Sequence, residues 1–163
     1  CGGVSNQYAD PGRLGIDRWL AMLAAFNKAR GSCVIIDAGT ALTVDVISAT
    51  GQHIGGYIVP GLSLMRDSLT ANTRIRLSEA GSSASLSLGH STDAAVFNGT
   101  LVTLLALIQR VSQSILSEDP QTKVYFTGGD ADLLHSLSAI DSSERVPGLV
   151  FDGLAVACPY VYY

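Results

Sequence analysis

Three short stretches set a carboxylate where phosphate chemistry can use it. Asp37-Ala38-Gly39-Thr40 closes the apolar run Cys33–Ile36, and Thr127-Gly128-Gly129-Asp130 closes the run Lys123–Phe126. Asp17 stands beside Arg18 in Leu14-Gly15-Ile16-Asp17-Arg18-Trp19, at the start of a helical pattern. In the first two, glycine lets the backbone bend and lets a ligand approach main-chain N–H groups, while Thr and Asp add a hydroxyl and a charge. Such a turn can hold a phosphate or a phosphate-bound cation. Asp and Gly also make plain hairpin turns, and Asp17 can serve simply as a first-turn charge complementing the helix dipole. Both readings stand for the residues taken singly.

The elements that must position these groups follow from periodicity. Val34–Gly61 holds three Val/Ile-rich runs, Cys33–Ile36, Leu42–Ile47 and His53–Pro60, joined by Gly-containing turns, which predicts an antiparallel meander with Asp37 in its first hairpin. Asp45 falls inside the second run, where it either bonds a neighbouring backbone or faces the site. Gly55-Gly56 in the third is read as close packing or a bulge rather than a binding element. Upstream, Trp19, Leu20, Leu23 and Phe26 form a helical stripe ended by Gly31.

Downstream, Gly61–Ala71 has helical spacing, and Asn72–Leu88 is polar and Ser/Ala-rich, the best candidate for a mobile loop. A long helix is expected from Ser91-Thr92 to about Ser117, with Val96, Leu101, Leu104, Leu105, Ile108, Val111 and Ile115 on a face broad enough to call for a second partner. Lys123–Phe126 is predicted as a strand, Ala131–Leu137 as a helix, Leu149–Phe151 as a strand and Gly153–Tyr160 as a final apolar segment.

Composition narrows the class. The chain has 163 residues, 47% of them hydrophobic, enough for one domain with a substantial core. A net charge of −4 without Lys/Arg clusters argues against a nucleic-acid footprint. The longest helical stretch is interrupted by Asn98, Thr100, Thr103, Gln109 and Arg110, so no membrane span is expected. Three cysteines, Cys1, Cys33 and Cys158, lack zinc or redox spacing. Cys33 and Cys158 are expected as buried thiols of a cytoplasmic protein. His53, His90 and His135 are scattered and read as surface or satisfied-core histidines rather than ligands. The chain opens on Cys1-Gly2-Gly3 rather than Met, and the expectation is that something precedes it.

A meander followed by alternating helices and strands is the order of the ribonuclease H-like α/β fold of the actin, Hsp70 and sugar kinase superfamily, a mixed sheet with α/β units, by analogy of element order. Tyr8-x-x-Pro-x-x-Leu-Gly-x-Asp17-Arg18-Trp, Asp37-x-Gly-Thr-Ala, Gly55-Gly-Tyr-x-x-Pro-Gly61 and Thr127-Gly-Gly-Asp also occur in one order. Together, from Tyr8 to Pro159, they resemble the type III pantothenate kinases, the group that includes proteins named Bvg accessory factor.

That resemblance implies phosphorylation of pantothenate by ATP with Mg²⁺ and a monovalent cation, potassium or ammonium, as the first step of coenzyme A synthesis. It implies Asp17 as general base, Tyr8, Gly15 and Arg18 as the wall of the pantothenate pocket, Asp37 as the cation ligand, and Gly39, Thr40, Gly128 and Gly129 at the nucleotide. Thr92 resembles a pantothenate contact donated by the neighbouring subunit of a homodimer. The family's first phosphate motif, Asp-x-Gly-Asn-[Ser/Thr], has no counterpart upstream of Tyr8, and Asn72 stands where the pattern has His. Residues 1–15 are accordingly expected to be a lead-in from a first domain and 16–163 a second domain, inactive alone. The alternative is a non-catalytic regulatory or interaction domain of the Bvg accessory type.

Overall fold

The computed structural model describes residues 2–78 and 84–158. Part of the expected mobile loop, residues 79–83, together with Cys1 and the end of the final apolar segment, lies outside them.

A 3-10 turn at Pro11–Arg13, capped by the Asp10 side chain, leads into α1, Ile16–Ala29. Helix α1 has Gly15 at its N-cap, Asp17 in its first turn, and Arg30 in the left-handed conformation closing it. The meander follows as β1 (Cys33–Ala38), β2 (Ala41–Ile47) and β3 (His53–Pro60). Then come α2 (Leu62–Asn72), α3 (Thr92–Glu118), β4 (Lys123–Thr127), α4 (Ala131–Ser138), β5 (Ser143–Arg145) and α5 (Leu149–Ala157).

The five strands among the described residues form one mixed sheet in the order β3-β2-β1-β4-β5, antiparallel through the meander and parallel where β1 meets β4 and β4 meets β5. The β2–β3 register slips once: Val46 faces Gly55 but Ile47 faces His53, leaving Ile54 unpaired and exposed. Gly55 at the slip has φ +144°, a backbone that suits glycine and allows the bulge.

Alternation along the strands divides the core in two. Val34, Ile36, Val44, Val46, Val124 and Phe126 face one side and pack with Leu101, Leu104, Leu105 and Ile108 of α3 and with Leu134 of α4. Cys33, Ile35, Ile47 and Tyr125 face the other and pack with Met22, Leu23 and Ala25 of α1 and with Leu149 of α5. Asp37 and Asp45 are in phase with Ile35 and Ile47, on the α1 side.

Several expectations are corrected here. Leu149–Phe151 is not a strand but the first turn of α5; Leu149 and Gly153, one turn apart, are its buried positions, and a Cβ on Gly153 would lie 1.9 Å from the Leu20 carbonyl oxygen of α1. The last strand is instead Ser143-Glu144-Arg145, too short and too polar to carry an apolar pattern. The broad stripe of α3 needs no second partner: Val96, Leu101, Leu104, Leu105, Ile108 and Val111 are buried by their own chain and Ile115 packs against them. By length and composition alone α3 could cross a membrane, and burial in this core accounts for its apolarity. Cys33 is buried, its thiol pushed up to about 12 by desolvation, whereas Cys158 is exposed.

Candidate functional site

The N-terminus of α1 carries a dense polar network. Asp17 is exposed, and its Oδ1 accepts the backbone N–H of Arg18 at 2.9 Å. A Cβ on Gly15 would come within 2.6 Å of that oxygen, so the N-cap glycine makes room for the carboxylate to fold back over the helix end. Arg18 points the other way, into the protein, and is only 6% exposed. Its Nε donates to Asp45 Oδ2 at 2.9 Å and its Nη2 to Asp45 Oδ1 at 2.6 Å, a side-on bidentate pair, while Nη1 donates to the Tyr8 hydroxyl at 2.9 Å.

Asp45 has a second partner, His53 Nε2, at 2.9 Å from Oδ1. The His53 ring stacks on Tyr8 with centroids 5.7 Å apart. Burial alone would pull the Asp45 carboxyl upward, but the hydrogen bonds from His53 and Arg18 and the Arg18 charge outweigh it and hold the group below its usual range. The bonds that Arg18 donates to Asp45 likewise keep its guanidinium charged against its own burial.

Asp37 is half-buried near the end of β1, opposite Thr43 of β2 and beside Thr127 of β4. Desolvation raises its pKa, and the negative charges of Asp17 and Asp45 raise it further, so the three carboxylates share one field. The loops after β1 and β4 adjoin it. The Gly39 N–H is bonded to the Ala41 carbonyl, the Thr40 carbonyl accepts from Gly61 N–H, and the Ala38 carbonyl accepts from Asp130 N–H. Gly128, at φ +94°, passes so close that a Cβ there would lie 2.6 Å from both Ala38 O and Asp37 Oδ1. Gly129 is open, with nothing near the place of its missing Cβ. Two glycine turns thus meet at the carboxyl ends of parallel neighbours β1 and β4, the usual location of ligands in α/β sheets.

The fold therefore gathers Tyr8, Gly15, Asp17 and Arg18 at one helix end and Asp37, Gly39, Thr40, Gly128 and Gly129 at the adjoining carboxyl ends of the interior strands β1 and β4. Thr92 is not brought to them within the chain: it opens α3, on the opposite face of the sheet from α1. From the sequence Asp45 stands open between a backbone partner and the site, and His53 reads as a surface or satisfied-core histidine rather than a ligand. The one available signal was a charged residue amid Val44 and Val46, since a carboxylate inside an apolar strand needs a cation to face it. Among the described residues no cluster of three or more His, Cys, Asp and Glu side chains is arranged to hold a metal ion.

A family model described as type III pantothenate kinase matches residues 1–114. The chain belongs to the type III pantothenate kinase family. Kinases of that name from Pseudomonas fluorescens (strain SBW25) and Pseudomonas aeruginosa (strain PAO1) are 46% and 43% identical to it, each match covering 96% of this chain and 64% of the relative. The chain thus spans somewhat less than two thirds of the length of these curated type III pantothenate kinases. In three dimensions it is similar to a Campylobacter jejuni protein solved under the description of a Baf family transcriptional activator, with a TM-score of 0.65, 28% identity, and coverage of 94% of this chain and 66% of that one.

Proposed function

We propose that this chain is the part of a type III pantothenate kinase that binds pantothenate and carries the general base, within a ribonuclease H-like domain that transfers a phosphoryl group from ATP in the cytoplasm. The observation that carries this reading is the position of Asp17: an exposed carboxylate fixed at a helix N-terminus, beside the Tyr8–Arg18 pair and within electrostatic reach of Asp37 and its glycine turns. A base must be held within hydrogen-bond reach of the hydroxyl it serves, and a helix end is a rigid mount.

In this mechanism the primary hydroxyl of pantothenate gives its proton to Asp17 as its oxygen bonds to the γ-phosphorus. The bond from that phosphorus to the β–γ bridging oxygen breaks, and 4'-phosphopantothenate and ADP leave. Asp17 holds the hydroxyl in line, Arg18 and Tyr8 wall the pocket, and Gly129, open where a Cβ would stand, lets phosphate oxygens approach the turns of Gly39, Thr40 and Gly128. Phosphoryl transfer rests mostly on positioning and charge neutralisation, which Mg²⁺ supplies when bound with ATP.

The residues present fit a monovalent cation better than a caged divalent one. Asp37 is a single, partly desolvated carboxylate with no ion pair among the described residues and two like charges nearby, so a potassium or ammonium ion would relieve it. Arrangement of Thr92 on the far face of the sheet supports a contribution from a second subunit, and we read the outer surface of α3, at Ala95, Gly99, Val102 and Ala106, as the homodimer face. The regulatory alternative has less support, because the relatives at 43–46% identity are named for kinase activity.

ATP-dependent phosphorylation of pantothenate by the full-length protein tests the proposal. Product formation that Asp17→Asn abolishes is expected; a folded full-length protein with no pantothenate-dependent ADP release would overturn it.

A further inference from the structure

We infer that Asp45 and His53 are the positioning residues of Arg18: neither reaches the substrate, and together they fix the guanidinium, whose two unused N–H groups are left for a ligand. The inference rests on the reading of Arg18 as a wall of the pantothenate site.

Five N–H groups leave a guanidinium, and the contacts with Asp45 and Tyr8 use three of them. The two left over are one N–H each on Nη1 and Nη2. These N–H groups are aimed only if the guanidinium cannot rotate, and rotation is blocked by the bidentate pairing with Asp45. Asp45 is 2% exposed and His53 0%, so both act through Arg18 rather than on a ligand.

Stability alone does not explain the arrangement. A buried ion pair contributes little net stability compared with apolar residues of the same volume, because both charges must be stripped of water. His53 is worse placed still. Asp45 is ionised, so His53 Nε2 must carry the proton it shares with Oδ1, and Nδ1 has no hydrogen-bond partner among the described residues. An unpaired buried polar atom is destabilising, and phenylalanine would fill the same space beside Tyr8 without that cost. What phenylalanine lacks is the N–H that pins Asp45 Oδ1. The side chain at position 53 thus sacrifices stability for a donor, which is the mark of a residue kept for geometry.

The test uses the full-length protein, with pantothenate as the probe in steady-state kinetics and in titration calorimetry without ATP. His53→Phe should raise KM and weaken calorimetric binding on the order of tenfold, as loss of an outer-shell hydrogen bond does at other sites, with kcat changed far less and thermal stability held or improved. His53→Gln, which restores an N–H donor, should recover most of the affinity. Asp45→Asn should act in the same direction and more strongly. Normal pantothenate affinity in folded His53→Phe would overturn the inference, as would failure of His53→Gln to recover affinity lost in His53→Phe. Arg18→Ala separates the levels. If it weakens binding while the position 53 variants do not, only the positioning role fails; if it leaves pantothenate affinity unchanged, the reading of Arg18 itself is wrong.

Discussion

Asp45 and Gly56 stand directly opposite each other across the β2–β3 ladder, and the glycine is what leaves the Asp45 carboxylate room to meet Arg18. A Cβ at position 56 would lie 2.5 Å from Asp45 Oδ1, 3.1 Å from Arg18 Nη2 and 2.3 Å from the Val44 carbonyl oxygen. Gly56→Ala should therefore destabilise the fold by about 1–3 kcal/mol, the usual scale of overpacking, and weaken pantothenate binding as well. Urea unfolding and calorimetry on the same preparation check both; a variant as stable as its parent would mean that the strands part easily at this point.

Asp17 predicts a different kinetic signature. Asp17→Asn in the full-length protein should lower kcat on the order of a hundredfold or more, with a smaller effect on pantothenate affinity. Near-normal kcat would return Asp17 to the role of a first-turn helix charge.

Asp37 titrates with a definite sign. Its pKa is raised on folding, by burial first and then by Asp17 and Asp45. Between the unfolded and folded values the folded chain holds the extra proton, so the stability linked to this group is greatest in acid and is lost as pH rises through the folded pKa. Thermal melts should accordingly show Asp37→Asn gaining on the parent from acid toward neutral pH. Potassium should stabilise the parent at neutral pH and the variant much less. Equal potassium shifts in both proteins would remove the cation role.

The proposed dimer face lies elsewhere than the apolar pattern put it. Leu104 and Ile108 lie in the chain's own core, so charging them would unfold the protein rather than split a dimer. Val102, 43% exposed on the outer surface of α3, is the appropriate probe. Val102→Arg should convert a dimer into folded monomers by light scattering at micromolar concentration and should lower pantothenate affinity if Thr92 acts across the interface. A monomeric parent would defeat the arrangement.

Much of this was legible in the sequence because the signals were local. The meander runs, the α3 stripe and the glycine turns after β1 and β4 each lie within a few residues, where periodicity and turn chemistry speak directly. Asp17 was legible as a helix start for the same reason. What escaped was non-local. Ser143-Glu144-Arg145 becomes a strand only because β4 is there to pair with it, and Leu149-Val150-Phe151, with strand-like composition, is helical because Gly153 lets α5 close on α1. The partnership of Asp45 with Arg18 spans 27 residues and that of His53 with Tyr8 spans a turn, a helix and two strands, so no spacing rule could announce either.

The unpaired Ile54 gives β3 two phases. In an uninterrupted ladder His53 would lie opposite Ser48 and its ring would be sent to the α3 layer, leaving Asp45 with one partner. The extra residue resets the count, so the strand follows one parity from Gly55 onward and the other at its first residue. A histidine that strict alternation would assign to the wrong layer is thereby turned onto the carboxylate. The register implies that a chain lacking Ile54 would join His53 directly to Gly55 with the same facing toward Ile47 and Val46. Orientation at the site is in this sense a matter of arithmetic along β3, fixed by how many residues separate His53 from Gly56 and how many of them the ladder counts.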